Sequence, residues 1–157
     1  MSVASIAGLL RSAGLTVAVA ESSAGGAISA ELTSQPGSSA YFVGGIVAYD
    51  DLSKTAVLGL DPQLLTAYGS VSAPVAAAMA RAARTLFHAD LGLGETAILG
   101  PGGATDTKPA GLSFIALATE DGEQVRELQL QGDRSSNRAA IVAAALELIG
   151  TSVSLNR

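Results

Sequence analysis

Cysteine and tryptophan are absent from this chain, histidine occurs once, and only two of its 157 residues are lysine. Without cysteine there is no disulfide scaffold, no thiolate nucleophile and no thiolate-bound metal. A lone His88 leaves no multi-histidine metal site and weakens any histidine-based triad. Charge is also scarce, at 15% of residues, and the nine Lys and Arg are outnumbered by fourteen Asp and Glu. That balance does not supply the basic face a nucleic-acid partner needs. No basic residue precedes the first apolar stretch, so no secretory signal is read there. Apolar runs are cut by Gly, Ser or charge before the roughly 18 consecutive residues of a membrane span. What the chain does have is hydrophobic side chains, at 48%, which excludes a disordered polymer. A chain of this length forms one domain that buries about 68–70% of its unfolded surface. A single soluble, cytoplasmic domain over residues 1–157 is expected.

The spacing of Ile6, Leu9, Leu10 and Ala13 predicts a first helix stopped by Gly14. Thr16 to Ala20 reads as a buried strand, followed by the turn Glu21-Ser-Ser-Ala-Gly-Gly26 and a helix through Ile28 and Leu32. A second strand covers Tyr41 to Tyr49. Short helices follow at Asp50–Leu58 and Asp61–Tyr68, the latter capped by Asp61 with Pro62 in its first turn. The longest helix is expected to open at Val71-Ser-Ala-Pro74, with Val75, Met79, Ala82 and Leu86 inward. Glu95 to Leu99 reads as a strand running into Gly100-Pro-Gly-Gly103. Leu112–Thr119 and Gln124–Leu130 flank the turn Asp121-Gly122 as a strand pair. Asp133 caps a last helix that turns Ile141, Val142, Ala145, Leu148 and Ile149 inward. Helices alternating with strands, then a hairpin, predict a three-layer α/β/α sandwich with a mixed, mostly parallel sheet.

Three polar stretches stand out. The turn Glu21–Gly26 sits at a strand's carboxyl end, where a helix start offers free N–H groups. A hydroxyl there can be a nucleophile with an oxyanion site nearby, the turn can hold an anion, or Ser22 can simply cap the helix beside close-packed glycines. A second stretch, Tyr49-Asp-Asp-Leu-Ser-Lys54, carries a lysine that reads first as a solvated charge. His88, near a helix end beside Ala89-Asp90, is a poor general base. Lys54 is therefore the best available base for a serine if burial lowers its pKa, and Lys108 is second. The third stretch, Thr96 to Thr105, holds glycines that can form an anion nest. It matches neither a Walker A loop nor a dinucleotide fingerprint. Arg134 and Arg138, after Gly132-Asp133, suit a phosphate, although either alone reads as an exposed arginine.

Taken together these motifs resemble the CinA carboxy-terminal domain family, whose stand-alone members include nicotinamide-mononucleotide amidases. The resemblance runs from about Ile6 to Ile149 in the family's motif order. The family's Glu-Ser-Cys-Thr-Gly-Gly is Glu21-Ser22-Ser23-Ala24-Gly25-Gly26, and its Pro-Gly-Ser-Ser-x-x-Phe is Pro36 to Phe42. Tyr49 to Lys54 stands for its Tyr-x-x-x-x-Lys, and Gly69 to Ser72 for its Gly-x-Val-Ser. Gly100 to Gly103, Lys108-Pro109-x-Gly111 and Gly132 to Arg134 complete the set.

The resemblance implies a Ser/Lys amidohydrolase. Ser22 is the implied nucleophile and Lys54 its base, supported by Tyr49 and Thr96. Gly25, Gly26, Gly100, Gly102 and Gly103 would bind substrate, with Arg134 or Arg138 on its phosphate. The implied reaction converts nicotinamide mononucleotide to nicotinic acid mononucleotide and ammonia without metal or other cofactor, in a homodimer or higher homo-oligomer. Turn amides from Ser22 to Gly26 are expected to form the oxyanion site, and the few cations to gather around the anionic ligand. The chain departs from the family at Ser23-Ala24, Glu95, Ala97 and Leu99. Ala97 stands where glycine can serve a positive φ, and Glu95 replaces an apolar residue and is expected on the strand face opposite Thr96. Those changes motivate an alternative, a non-catalytic or specificity-shifted nucleotide-binding or regulatory member.

Overall fold

The computed structural model describes residues 1–155. In chain order its elements are α1 (Val3–Ala13), β1 (Val17–Glu21), α2 (Ala27–Thr33), β2 (Phe42–Val47), α3 (Asp51–Ala56), α4 (Pro62–Tyr68), α5 (Ala73–Leu86), β3 (Leu91–Ala97), β4 (Leu112–Ala118), β5 (Glu123–Gln129) and α6 (Arg134–Leu155). A single 3-10 turn at Ser38–Ala40 precedes β2. The strands form one sheet in the order β2-β1-β3-β4-β5. β1 pairs in parallel with β2 and β3, while β3/β4 and β4/β5 are antiparallel. Four strands thus point one way and β4 alone opposes them. The mixed three-layer sandwich expected from the sequence is present.

Each strand sends alternate residues to opposite layers. Val17 and Val19 of β1, Leu91 and Leu93 of β3, and Ile115 and Leu117 of β4 face a core closed by α1, α2 and α6. On the other face Ala18, Ala20, Ala116 and Ala118 meet α4 and α5. Small residues dominate there because α5 lies almost on the sheet. A Cβ at Gly92 would collide with the Ala80 carbonyl oxygen, and one at Gly94 with that of Ala76. Those glycines explain why β3 begins at Leu91, four residues before the strand read at Glu95. Gly-rich sequence argues against a strand unless a neighbouring backbone needs the space.

α6, not α5, is the longest helix, with 22 residues against 14. Leu86, expected inward, is 49% exposed at the end of α5. By length and mean hydropathy α6 could cross a membrane. Here it is a core helix: Ile141, Ala145, Leu148 and Ile149 are all buried at 1% exposure or less. Gly14, at φ 66°, ends α1 in the left-handed conformation as the sequence suggested.

The close α5–β3 contact makes a stability prediction. Gly94→Ala is expected to lower unfolding free energy by about 2 kcal/mol or more through overpacking. Gly8→Ala, on α1 with nothing within 4 Å of the added methyl, is expected to raise it by up to about 1 kcal/mol. Urea denaturation of both variants reads the contrast; a Gly94→Ala protein as stable as wild type would contradict it.

Candidate active site

The site lies at the carboxyl end of β1 and β3, beside the point where the chain leaves β1 for α2. Glu21, the last residue of β1, is fully buried. Its Oε2 accepts from the Gly26 and Ile28 amides at 2.9 and 3.0 Å. Its Oε1 accepts from the Ser29 amide at 2.8 Å and the Ser29 hydroxyl at 2.6 Å. Glu21 therefore caps α2, a task that Gly26, the N-cap residue, has no side chain to perform. The positive end of α2 is neutralised from within the protein.

Two sequence expectations are corrected by this arrangement. Gly25 and Gly26 do not line the cleft, because the Gly25 amide bonds to the Ser22 carbonyl and that of Gly26 to Glu21. Nor is the whole turn available to an oxyanion. The amides of Ser22 and Ala24 both donate to Glu95 Oε2 at 2.9 Å. Among the described residues, the Ser23 amide alone in this turn has no acceptor.

Lys54 comes from α3, whose N-cap Asp50 accepts from the Ser53 amide at 2.8 Å. Although it lies on a short helix next to a loop, Lys54 is only 1% exposed. Its Nζ stands 3.2 Å from Ser22 Oγ and 3.3 Å from the Tyr49 carbonyl oxygen. Ser22 Oγ is also 3.3 Å from that carbonyl. The Asp51 carboxylate lies 3.9 Å from Nζ and accepts from the Ser70 hydroxyl. Burial pushes Lys54 below the usual lysine range, while Asp51, Glu95 and Asp50 pull it back.

Tyr49 contributes twice: its carbonyl faces the Ser22–Lys54 pair, and its exposed phenol accepts from Arg134 at 3.0 Å. Arg134, at the start of α6, also donates to the Gly100 carbonyl at 3.1 Å. Gly102 and Gly103 line the cleft beside it, whereas Gly100 contributes that carbonyl. Thr96 lines the cleft too, but its hydroxyl donates to the Ser70 carbonyl at 2.8 Å and touches neither Ser22 nor Lys54. Arg138 lies outside the cleft. One turn farther along α6, it lines a separate groove with Met1, Ala27 and Glu31. Lys108, the second candidate base, is held by the Tyr68 and Val71 carbonyls at 2.5 and 2.7 Å. His88 is exposed beyond the end of α5. Of the cations in the described residues, only Lys54 and Arg134 line the cleft, so the expected gathering of positive charge reduces to those two.

The cleft has a volume of about 310 Å³, at the low end for a small-molecule site. Two larger grooves, of about 630 and 690 Å³, hold neither Ser22 nor Lys54. The departures at 24, 97 and 99 are core positions, at 2%, 7% and 3% exposure. Ala97 carries no positive φ; among the described non-glycine residues only His88 does. The Ala97 carbonyl accepts from the Ser23 hydroxyl, and that of Leu99 from buried Asn137 at 3.0 Å.

Glu95 went unread as a site residue. It does face away from Thr96, as expected, but that face leads under the Ser22 turn. Strand alternation gives the direction; only the parallel pairing of β1 with β3 gives the destination. Asn137 was also missed. It holds the Gly132 amide and the Leu99 carbonyl together, a link between segments that no local pattern marks.

A family model described as the CinA C-terminal domain matches residues 2–153. A CinA-like protein of Acidobacterium capsulatum is 44% identical over 136 residues, which are 87% of this chain and 33% of that protein. The chain spans about a third of the length of the curated relatives it matches. A competence/damage-inducible protein of Agrobacterium tumefaciens, solved as a crystal structure, superposes with a TM-score of 0.89 at 34% identity, covering 98% of this chain and 96% of that one. A CinA-superfamily protein of Klebsiella pneumoniae superposes at 0.93 and 26% identity, covering 97% and 95%.

Glu95 yields a pH prediction. Burial pushes its carboxyl up to about 7 against the two amide donors, with Glu21 adding to the rise and Lys54 opposing it. The folded chain then keeps a proton that the unfolded chain releases near pH ~4.3. The associated stability is complete below about pH 4 and is lost as pH rises through about 7. Glu95→Gln cannot ionise. Its unfolding free energy minus that of wild type is expected to grow by about 3 kcal/mol between pH 4 and pH 8. Urea denaturation across that range checks it, and a constant difference would contradict it.

Proposed function

The chain belongs to the CinA C-terminal domain family, and from that premise we propose that it is a Ser/Lys amidohydrolase acting on nicotinamide mononucleotide. The observation that carries this reading is the 3.2 Å contact between Ser22 Oγ and the buried Nζ of Lys54. A lysine held out of water loses part of its preference for the charged form, and a neutral amine at hydrogen-bond distance can take a serine proton.

In the proposed sequence Ser22 Oγ attacks the carboxamide carbon as its proton passes to Lys54. The carbonyl oxygen becomes an oxyanion, and the Ser23 amide is the turn donor left to meet it. Collapse of the tetrahedral species breaks the C–N bond, with the Lys54 proton leaving on ammonia. Water, deprotonated by Lys54, then releases nicotinic acid mononucleotide and restores the Ser22 hydroxyl. Arg134, pre-set by the Gly100 carbonyl and the Tyr49 phenol, is the proposed phosphate ligand, and a guanidinium suits that role. Gly102 and Gly103 are proposed to admit the ligand close to backbone. A mononucleotide substrate fits a cytoplasmic protein, and a homodimeric assembly is proposed from the family resemblance. The core placement of Ala24, Ala97 and Leu99 supports activity, because none displaces the Ser22–Lys54 pair.

Ammonia release from nicotinamide mononucleotide tests the reading. Ser22→Ala and Lys54→Met are each expected to lower kcat by about 10⁴-fold or more while circular dichroism stays native. Arg134→Ala is expected to raise KM by about tenfold or more with a smaller change in kcat. Wild-type turnover in either dyad variant would remove the mechanism. Binding of the mononucleotide with no ammonia on long incubation would favour the non-catalytic alternative.

A further inference from the structure

Glu95 has no part in the proton transfers above, yet it is fully buried and aimed at the nucleophile. An apolar residue would fill its inward place on β3, as Leu93 and Ala97 do on either side. The carboxyl instead holds the Ser22 and Ala24 amides on Oε2, while Oε1 is buried with no partner among the described residues. Leaving a carboxyl oxygen in that state is costly.

We propose that Glu95 is the positioning residue of the nucleophile turn: its carboxyl fixes the backbone of Ser22 so that the hydroxyl stays on Lys54, and its charge governs how readily Lys54 gives up a proton. The inference rests on the Ser/Lys reading above. The first half is geometric. Both bonds reach the turn from a strand 71 to 73 residues away in sequence, and one of them grips the nucleophile's own amide. The second half is electrostatic: a Glu95 carboxylate favours the charged form of Lys54. The other charged groups in play are Glu21 at the end of β1 and, on and before α3, Asp51 and Asp50. β4 sets Ile115 opposite Glu95. The ionisable side chains of α2 and α6 turn elsewhere: Glu31 and Arg138 line the groove beside Met1, Arg134 holds Gly100 and Tyr49, and Glu147 pairs with Arg126.

Phenylmethylsulfonyl fluoride provides a test independent of the natural substrate. Its sulfur bonds to Ser22 Oγ, the S–F bond breaks, fluoride leaves, and the serine proton passes to Lys54. Labelling of the full chain is followed by intact mass from about pH 5 to pH 10. Glu95→Val is expected to slow labelling about tenfold or more on the alkaline plateau, where Glu95 is ionised, through loss of two charge-assisted bonds to the turn. Glu95→Gln keeps an acceptor and is expected to label within about threefold of wild type on the alkaline plateau. Its half-maximal pH should fall by about half a unit or more, since the neutral amide no longer holds the proton on Lys54. Wild-type rate and midpoint in a folded Glu95→Val protein would overturn the inference, as would an unchanged or raised midpoint in Glu95→Gln. Should Glu95→Val not fold, the Gln midpoint decides alone. If nicotinamide mononucleotide is not hydrolysed but labelling keeps this dependence on Glu95, the substrate assignment fails and the inference stands. A wild-type Ser22 that labels at no pH overturns both.

Discussion

The burial of one lysine side chain organises this end of the molecule. Taking a lysine out of water is expensive unless it is neutralised or well bonded, and Lys54 has only limited compensation. Its Nζ is offered a serine hydroxyl, a main-chain carbonyl and one carboxylate at 3.9 Å. The neighbouring structure reads as what is needed to keep that group in place. α3 is capped by Asp50 so that Lys54 points inward. Asp51 is held in turn by the Ser70 hydroxyl, and Thr96 pins the Ser70 carbonyl. The connection between α4 and α5 is thereby fastened to the edge of β3.

Two buried glutamates at adjacent strand ends divide the polar demands of the Ser22 turn. Glu21 takes the donors at the start of α2, and Glu95 takes those nearer the serine. The outcome differs from the usual picture of a helix start serving a ligand. The macrodipole is answered internally, and Lys54, the Ser23 amide and Arg134 are the cleft donors proposed to meet an acyl and phosphate-bearing ligand. Specificity in such a site comes from a few fixed groups rather than from a positive field.

The architecture was readable because each element carries its own signal. α1 has its stripe and Gly14, α4 its Asp61-Pro62 start, and the late hairpin its Asp121-Gly122 turn. Scarcity singled out Lys54 as the base, since the chain has one histidine and two lysines, whereas the choice of Ser22 among its many serines came from the family resemblance. What escaped were contacts made across the sheet. Glu95 and Asn137 act on partners 71 to 73 and 38 residues away, and no local period encodes such a distance. The expected oxyanion site narrowed to the Ser23 amide for the same reason: the Ser22 and Ala24 amides, free by their own sequence, are satisfied by another strand. Arg138 was misplaced because a helix start fixes where its first turn points but not what the next turn packs against.

The strand order has a consequence for how the protein is made. Ser22 and Lys54 are encoded within the first 54 residues, and β1 and β2 can pair as soon as they leave the ribosome. The central place beside β1 nevertheless belongs to β3, which arrives some forty residues later and carries Glu95. Until then the Ser22 and Ala24 amides have only water, and β1 exposes an unpaired edge to other chains. A chain ending before residue 95 thus holds Ser22 and Lys54, the proposed dyad, without the carboxyl that accepts from the Ser22 and Ala24 amides. The acceptor for the Ser22 turn comes with a strand that inserts between β1 and β4 rather than one that is added at the rim.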